Sequence, residues 1–368
     1  MKQSDTKVLN NRRSFLKNGA LAAGAATMGT GFLTRGLSTF AQATGESKGP
    51  LTAGDAAILR FAAAAELIET DLWQQYRELG GVTQGPQNNY QLAFQFLDGD
   101  GSQYITSNTL DEASHAAFLN AYLISKGAEP VDLDQFRTLP SSKATGAEQI
   151  GRLTNLLKNT VDTSWFIRYR SANNPDFGAT FQQALSIVNR PLIPRDNGDF
   201  NDPDHIQVIA DSAAFHFGTI EQGGTSLYAT LAQKTSSLEV LKIVLSIGGD
   251  EIAHFLEWVD FAGNAVQGPP YSFANSQTPV KSNGVTFPNF NDLNDPLFQT
   301  NLIFPVPCEF ISPDLPLCAV IRPTGDVNSI AADAVASLTA GGLFAGQSPA
   351  FFQTLQTLAQ QADAAQRG

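Results

Sequence analysis

Leu110-Asp111-Glu112-Ala113-Ser114-His115 and Gly249-Asp250-Glu251-Ile252-Ala253-His254 carry one pattern, Asp-Glu-x-x-His, in two distant parts of the chain. On an α-helix successive residues advance by about 100°, so a Glu and a His three apart lie roughly 60° apart on one face. Upstream of each segment lies a stretch with helical spacing and a lone inward-capable Glu, at Glu66 and Glu221. The series Glu, Glu-x-x-His, Glu, Glu-x-x-His supplies four carboxylates and two imidazoles. That is the donor set with which four helices hold a dinuclear metal site. A single Glu-x-x-His says little; the ordered series says much more.

Outward from these segments, the spacing predicts four long helices. Thr52 to Leu79 has Ile58, Phe61, Ala62, Ala65, Leu72, Trp73 and Tyr76 at helical intervals, with Gly80-Gly81 as a stop. A second helix is expected from a cap at Thr106 or Asn108 to Ser125, ended by Gly127. A third runs from about Asp204 to Gln233, and a fourth from a cap at Ser236 to about Gly263. Residues 81–105 and 128–145 read as loop, whereas 147–168 and 177–188 have enough apolar periodicity to predict small helices. The two halves echo each other. Glu66 to Trp73 and Glu221 to Tyr228 are both seven residues, so each Glu has an aromatic two turns along its own face. This is an antiparallel helix pair used twice, with the second-to-third connection crossing the end of the bundle.

The first forty-three residues read differently. Asn11-Arg12-Arg13-Ser14-Phe15-Leu16-Lys17, a mild Ala/Gly-rich apolar run and Ala41-Gln42-Ala43 have the order of a twin-arginine export signal with a cleavage site. An uncleaved tail or anchor is the alternative, although the run is short and Gly-rich for a membrane span. Six of the 23 basic residues and one of the 35 acidic ones lie in 1–43, leaving 17 and 34, a net charge of −17. Such a surface argues against nucleic acid and against stable insertion in an anionic membrane after cleavage. The expected organisation is signal peptide at 1–43, linker at 44–51, four-helix bundle at 52–265, and a Pro/Asn-rich segment with C-terminal helices at 266–368 packed on the bundle. The two cysteines, Cys308 and Cys318, are expected to pair in an oxidising envelope.

Leu59-Arg60-Phe61-Ala62, Glu66, Trp73, Glu112-Ala113-Ser114-His115-Ala116-Ala117-Phe118-Leu119, Lys126-Gly127-Ala128-Glu129-Pro130-Val131, Ile220-Glu221, Thr225, Tyr228 and Asp250-Glu251-Ile252-Ala253-His254 together resemble the ferritin-like superfamily. The resemblance is greatest to its exported bacterial branch, labelled ferritin-like or desiccation-related. It covers about a third of the chain and excludes the last hundred residues. It implies an all-α, ferritin-like four-helix bundle with a long second-to-third crossover and a C-terminal loop-plus-helix extension. It also implies a dinuclear iron or manganese centre on Glu66, Glu112, His115, Glu221, Glu251 and His254. One departure is Trp73, where the superfamily usually has Tyr, which would remove a hydroxyl near the metals.

Buried carboxylates without a cation are very unfavourable, so these six residues call for metal or for protons. Carboxylate and imidazole donors suit iron or manganese. The bland alternative is a structural bundle whose site is no longer used. Glu69, one turn from Glu66, is a rival or an additional ligand. His216 is about 140° round the helix from Glu221 and reads as a core histidine; His205 reads as a helix-start residue. Asp98-x-Asp100-x-Ser102 lacks the Gly and Glu of a calcium loop, with Gln103 and Thr109 in their places, and reads as a turn. The functional expectation is an exported two-metal protein, carried by the twin-arginine machinery to the periplasm or beyond, acting on dioxygen or peroxide. The alternative is a non-enzymatic, stress-associated envelope protein that uses the bundle for metal binding or as a structural module. Homo-oligomerisation is left open by the sequence.

Overall fold

The computed structural model describes residues 49–168, 177, 182–266, 281–282, 285–286, 305–307, 311–319 and 325–368. Residues 47–368 form one compact unit. It is mostly helical, with three two-stranded antiparallel sheets among the described residues. None of the described helices is long and apolar enough to cross a membrane. The export signal and the Cys308 half of the expected disulfide lie outside the described residues.

Helix α1, Ala53–Gly80, starts where the Thr52 hydroxyl accepts the Asp55 N–H at 3.0 Å, and it carries Arg77 in its last turn. These satisfy an orphan donor and complement the helix dipole. The expected apolar stripe is fully buried at Ile58, Leu72, Trp73 and Tyr76. The Asp55 carboxylate also accepts the Ser236 and Ser237 N–H groups, fastening the start of α1 to a distant turn. Helix α2, Asn89–Leu97, lies within residues 81–105, where loop is expected from the sequence. Its signal is a capping box between Asn88 and Gln91, followed by buried Tyr90, Phe94 and Leu97 at i, i+4, i+7. Helix α3, Gly101–Ser125, has Asp100 at its cap position, six residues before Thr106 and eight before Asn108, the two expected caps. A side chain at Gly101 would overlap the Phe261 ring, so the missing Cβ is what allows the helix to begin against that ring.

The connection from α3 to the third long helix corrects the sequence reading most. Residues 147–168 are not a helix: they hold strand β1, Asn159–Val161, and a single turn α4, Trp165–Arg168, in an otherwise irregular path. Where a helix is expected at 177–188, the described residues 182–186 are irregular and strand β2, Ile187–Arg190, follows and pairs with β1. The periodic apolar residues Leu153, Leu156 and Val161 are buried as expected, but their backbone is held from outside. One Asp71 oxygen on α1 accepts the Leu153 N–H, the Thr154 N–H and the Thr154 hydroxyl, at 3.0, 2.9 and 2.7 Å. Its other oxygen takes Arg137 at 2.7 Å. Fully buried Arg152 bonds Glu78 at 2.5 Å. Long-range partners have thus taken donors that a helix would have used internally.

Helix α5, Pro203–Ala232, has Asp202 as N-cap and proline at its first position. Helix α6, Leu238–Ala265, is capped by Ser237, one residue after the expected Ser236. The α1–α3 pair is antiparallel: Glu66 faces His115, the Trp73 carbonyl meets Thr109, and Val82 meets Thr106. The α5–α6 pair is antiparallel too, with Gly224 against Glu251 and Tyr228 against Gly248. Strands β3 (Lys281–Ser282) and β4 (Val285–Thr286) pair, as do β5 (Pro305–Val306) and β6 (Cys318–Ala319). Helices α7, Ile330–Ala340, and α8, Pro349–Asp363, close the chain. Helix α8 packs on α1 and α7 on α5, so the expected C-terminal helices do lie on the helical core. Their Ile330, Phe351 and Leu355, with Phe344 between the helices, join the same apolar cluster.

Candidate metal centre

Four helices bring the six expected side chains to one buried point. Glu66 comes from α1, Glu112 and His115 from α3, Glu221 from α5, and Glu251 and His254 from α6. Two overlapping groups form. Glu66, Glu112, His115 and Glu251 make one; Glu112, Glu221, Glu251 and His254 make the other, each with ligand atoms within 4.8 Å of one another. Glu112 and Glu251, the carboxylates of the two Glu-x-x-His segments, belong to both. Glu66, Glu112, Glu221 and Glu251 are at most 1 % exposed.

The two histidines are oriented alike. His115 turns Nδ1 to Glu112 at 3.1 Å and Glu66 at 3.3 Å, and His254 turns Nδ1 to Glu112 at 3.1 Å and Glu221 at 3.3 Å. The outward Nε2 atoms meet the aspartates that precede each Glu, but crosswise. His115 Nε2 lies 3.2 Å from Asp250, and His254 Nε2 lies 3.4 Å from Asp111 and 3.7 Å from Asp250. A carboxylate on the outer nitrogen fixes the ring and makes the inner nitrogen a better ligand.

The inner atoms fit a cation. Both Glu251 oxygens are buried and take no hydrogen bond among the described residues, while Glu66 Oε2 and Glu221 Oε2, equally buried, meet a histidine Nδ1 at 3.3 Å. Gly224 makes the room: a side chain there would overlap Glu251 Oε2. Without metal, protons carry the balance. Burial, reinforced by Glu112, pushes the Glu66 carboxyl up to about 7 against the pull of His115. Burial and the charges of Glu112, Glu69 and Glu221 hold Glu251 well above the carboxylate range. Burial works against a charged His115, yet Asp250, Glu112 and Glu66 outweigh it and push the ring up to about 12. His254 is raised for the same reason, by Glu221, Asp111 and Glu112.

Several residues of the site carry no sequence expectation. Asn108, considered above only as a helix cap, is buried inside α3; its amide donates to Glu112 Oε1 at 2.6 Å and Glu221 Oε1 at 3.2 Å. Trp258 Nε1 donates to Asn108 Oδ1 at 2.8 Å. The Tyr228 hydroxyl donates to Glu66 Oε1. Asp111 and Asp250 could have been found, because the same residue precedes both Glu-x-x-His segments. Asn108 could have been found as an amide four residues before Glu112 on the same face. Glu69 stays outside the two ligand groups. It lines a largely apolar cavity of about 50 Å³ with Ile68, Leu72, Gly224 and Leu338. Burial and the charges of Glu112, Glu66 and Glu221 keep its carboxyl well above the usual range. His216 lies away from the cluster, with Nδ1 2.9 Å from the Tyr76 hydroxyl, as a core histidine should. His205 sits in the first turn of α5 with Nε2 2.9 Å from Asp199.

Comparison with family models, with curated proteins and with solved structures finds no match. The chemistry of the site therefore rests on its own geometry.

Proposed function

We propose that this chain is a ferritin-like four-helix metalloprotein that binds two iron or two manganese ions and reacts with dioxygen or peroxide after twin-arginine export to the periplasm or beyond. The observation that carries this reading is the pair of four-residue groups sharing Glu112 and Glu251, with both Glu251 oxygens buried and without a hydrogen bond among the described residues. Glu66 with His115 and Glu221 with His254 would complete one ion each, and the shared glutamates would serve both. Oxygen and imidazole donors, with no thiolate in the two groups, suit iron or manganese. Bound, such a pair supplies redox electrons and Lewis acidity in a site from which water is largely excluded.

The chain's own residues set the conditions. Asp111 and Asp250 hold the imidazoles. Tyr228 and Asn108 steer the free oxygens of Glu66 and Glu221. Gly224 leaves Glu251 its place. Purified mature protein, reconstituted with iron(II) or manganese(II), should take up close to two ions per chain by elemental analysis, and should then consume dioxygen or peroxide. Zero uptake by a protein with an intact helical spectrum would leave the structural reading. Two ions without turnover would favour metal binding for stability or sequestration. Replacing Arg12 and Arg13 by lysine should retain precursor in the cytoplasm; normal export of that variant overturns the export route.

A further inference from the structure

Trp258 stands one side chain from the cluster: its Nε1 bonds Asn108, which bonds both Glu112 and Glu221. From Trp258 a column of rings leads away. Trp258 stacks on Trp73 with centroids 5.2 Å apart and planes 22° from parallel. Trp73 lies 5.6 Å from Tyr76, and Phe217 packs against all three rings. Tyr76 ends the column with its hydroxyl 2.9 Å from His216 Nδ1. Trp73, Tyr76 and Phe217 are fully buried, and Trp258 is 1 % exposed.

We propose that this column is a hole-transfer relay, in which an oxidising equivalent passes from the cluster through Trp258 and Trp73 to Tyr76, and His216 takes the phenol proton. The relay rests on the proposed redox reading only for the source of its oxidant, dioxygen or peroxide reacting at the cluster.

Hydrogen bonding decides where the hole stops. Among the described residues Trp73 Nε1 is buried and has no acceptor, and Trp258 Nε1 meets an amide oxygen, a poor base. An oxidised indole here keeps its proton, stays a cation radical and remains a strong oxidant. Tyr76 differs, because its hydroxyl faces an imidazole that burial keeps neutral, with its pKa lowered to about 3. One electron moves from Tyr76 to the Trp73 cation radical, and the phenol proton moves from Tyr76 Oη to His216 Nδ1. The products are neutral Trp73, a neutral Tyr76 phenoxyl radical and a His216 imidazolium. Burial makes that imidazolium reluctant, so the proton returns when the phenoxyl is reduced and the pair resets. Two other phenols are worse ends. Tyr90 donates to the Leu192 carbonyl, which is no base, and Tyr228 faces Glu66 but has no ring contact with either tryptophan.

The test needs no metal. Full-length protein stripped of metal is photo-ionised by a laser flash at the red edge, where tryptophan alone absorbs, and indole and phenoxyl radicals are followed by their separate transient bands. Trp165 lies outside the column, packed on Phe166, Phe215 and Phe255, and is replaced by phenylalanine throughout. Decay of the indole signal should be matched by growth of a phenoxyl signal. Tyr76→Phe, which keeps the ring, should abolish the phenoxyl and prolong the indole radical. His216→Leu should slow the conversion or remove it. Near-ultraviolet circular dichroism checks that each variant keeps its packing. Equal phenoxyl growth in Tyr76→Phe, or no phenoxyl in the parent protein, overturns the relay. Neither result bears on metal binding, which elemental analysis reads separately.

Discussion

The α1–α3 and α5–α6 halves carry the same charges in the same places and almost nothing else in common. Glu66, Glu112 and His115 answer Glu221, Glu251 and His254, and Asp111 answers Asp250 across the site. Around them the echoing positions diverge. Trp73 stands where the other half has Tyr228, Glu69 where it has Gly224, Asn108 where it has Ile247, and Leu119 where it has Trp258. The difference teaches what each position is for. On the proposed two-metal reading, the clustered glutamates and histidines and the aspartates on the outer nitrogens repeat because each half would offer the same charge to the same kind of ion. The flanking positions are free to differ, so each terminal glutamate is steered from the opposite half by a different kind of group. Glu66 receives a phenol from the opposite half, whereas Glu221 receives an amide backed by an indole.

The sharpest way to break the symmetry is to remove a shared carboxylate. Glu112→Ala and Glu251→Ala should each empty both positions, while Glu66→Ala and Glu221→Ala should leave about one ion. Gly224→Ala should behave like a shared-ligand variant by displacing Glu251, whereas alanine at the echoing Glu69 should leave uptake intact. Elemental analysis of each variant decides. Equal losses from shared and terminal glutamates would mean that the two groups are not separate positions.

Smaller effects should separate the two outer aspartates. Asp250→Asn and Asp111→Asn should each weaken metal affinity by roughly 10–100-fold. Asp250 should be the costlier, because it approaches both histidines and Asp111 approaches only one. Competition with a chelator measures the difference; a larger effect at Asp111 would reverse this reading of the site.

The charge common to both halves sets a pH dependence. In the metal-free fold Glu66 is raised from its ordinary 4.5 to about 7, and Glu251 is raised as well. The folded state then holds protons that the unfolded chain releases. That contribution to stability is complete below about 4.5 and is lost as pH rises through about 7. On the proposed metal reading, metal would take the place of those protons, so uptake should release acid, and the thermal stabilisation by metal should grow between about pH 5 and about pH 8. A stabilisation that is flat or falling over that range would show that Glu66 is ionised without metal.

The smallest effects should come from single neutral hydrogen bonds. Tyr228→Phe should cost about 0.5–1.5 kcal/mol in chemical denaturation and leave metal stoichiometry unchanged. His216→Ala should leave metal content unchanged too, since its Nδ1 bonds Tyr76 and not the cluster. Metal loss in His216→Ala would place it within reach of the cluster.

Much of this was legible before any coordinates. The long helices appear within a few residues of their expected bounds because caps such as Thr52 and Asp202 and the apolar stripes act locally. The clustering of Glu66, Glu112, His115, Glu221, Glu251 and His254 follows from spacing, because a helix converts spacing directly into a shared face. Residues 147–168 misled because Leu153, Leu156 and Val161 mimic a helical stripe, while the carboxylate that holds their backbone, Asp71, is more than eighty residues away. Helix α2 was missed although its Asn88 and Gln91 box was readable.

The sequence by itself determined a mostly helical chain, the phase of each long helix and the placing of Glu and His on common faces. Those are consequences of backbone geometry within a few residues. Only the tertiary structure decided that Glu112 and Glu251 are shared, that Asp250 serves the histidine of the opposite half, and that Asn108 looks inward. It also decided that Trp258, Trp73, Tyr76 and His216 fall into one column. Each depends on the rotation and axial offset of one helix against another. Those are fixed by close packing of the whole core, at contacts such as Gly101 against Phe261 and Gly224 against Glu251.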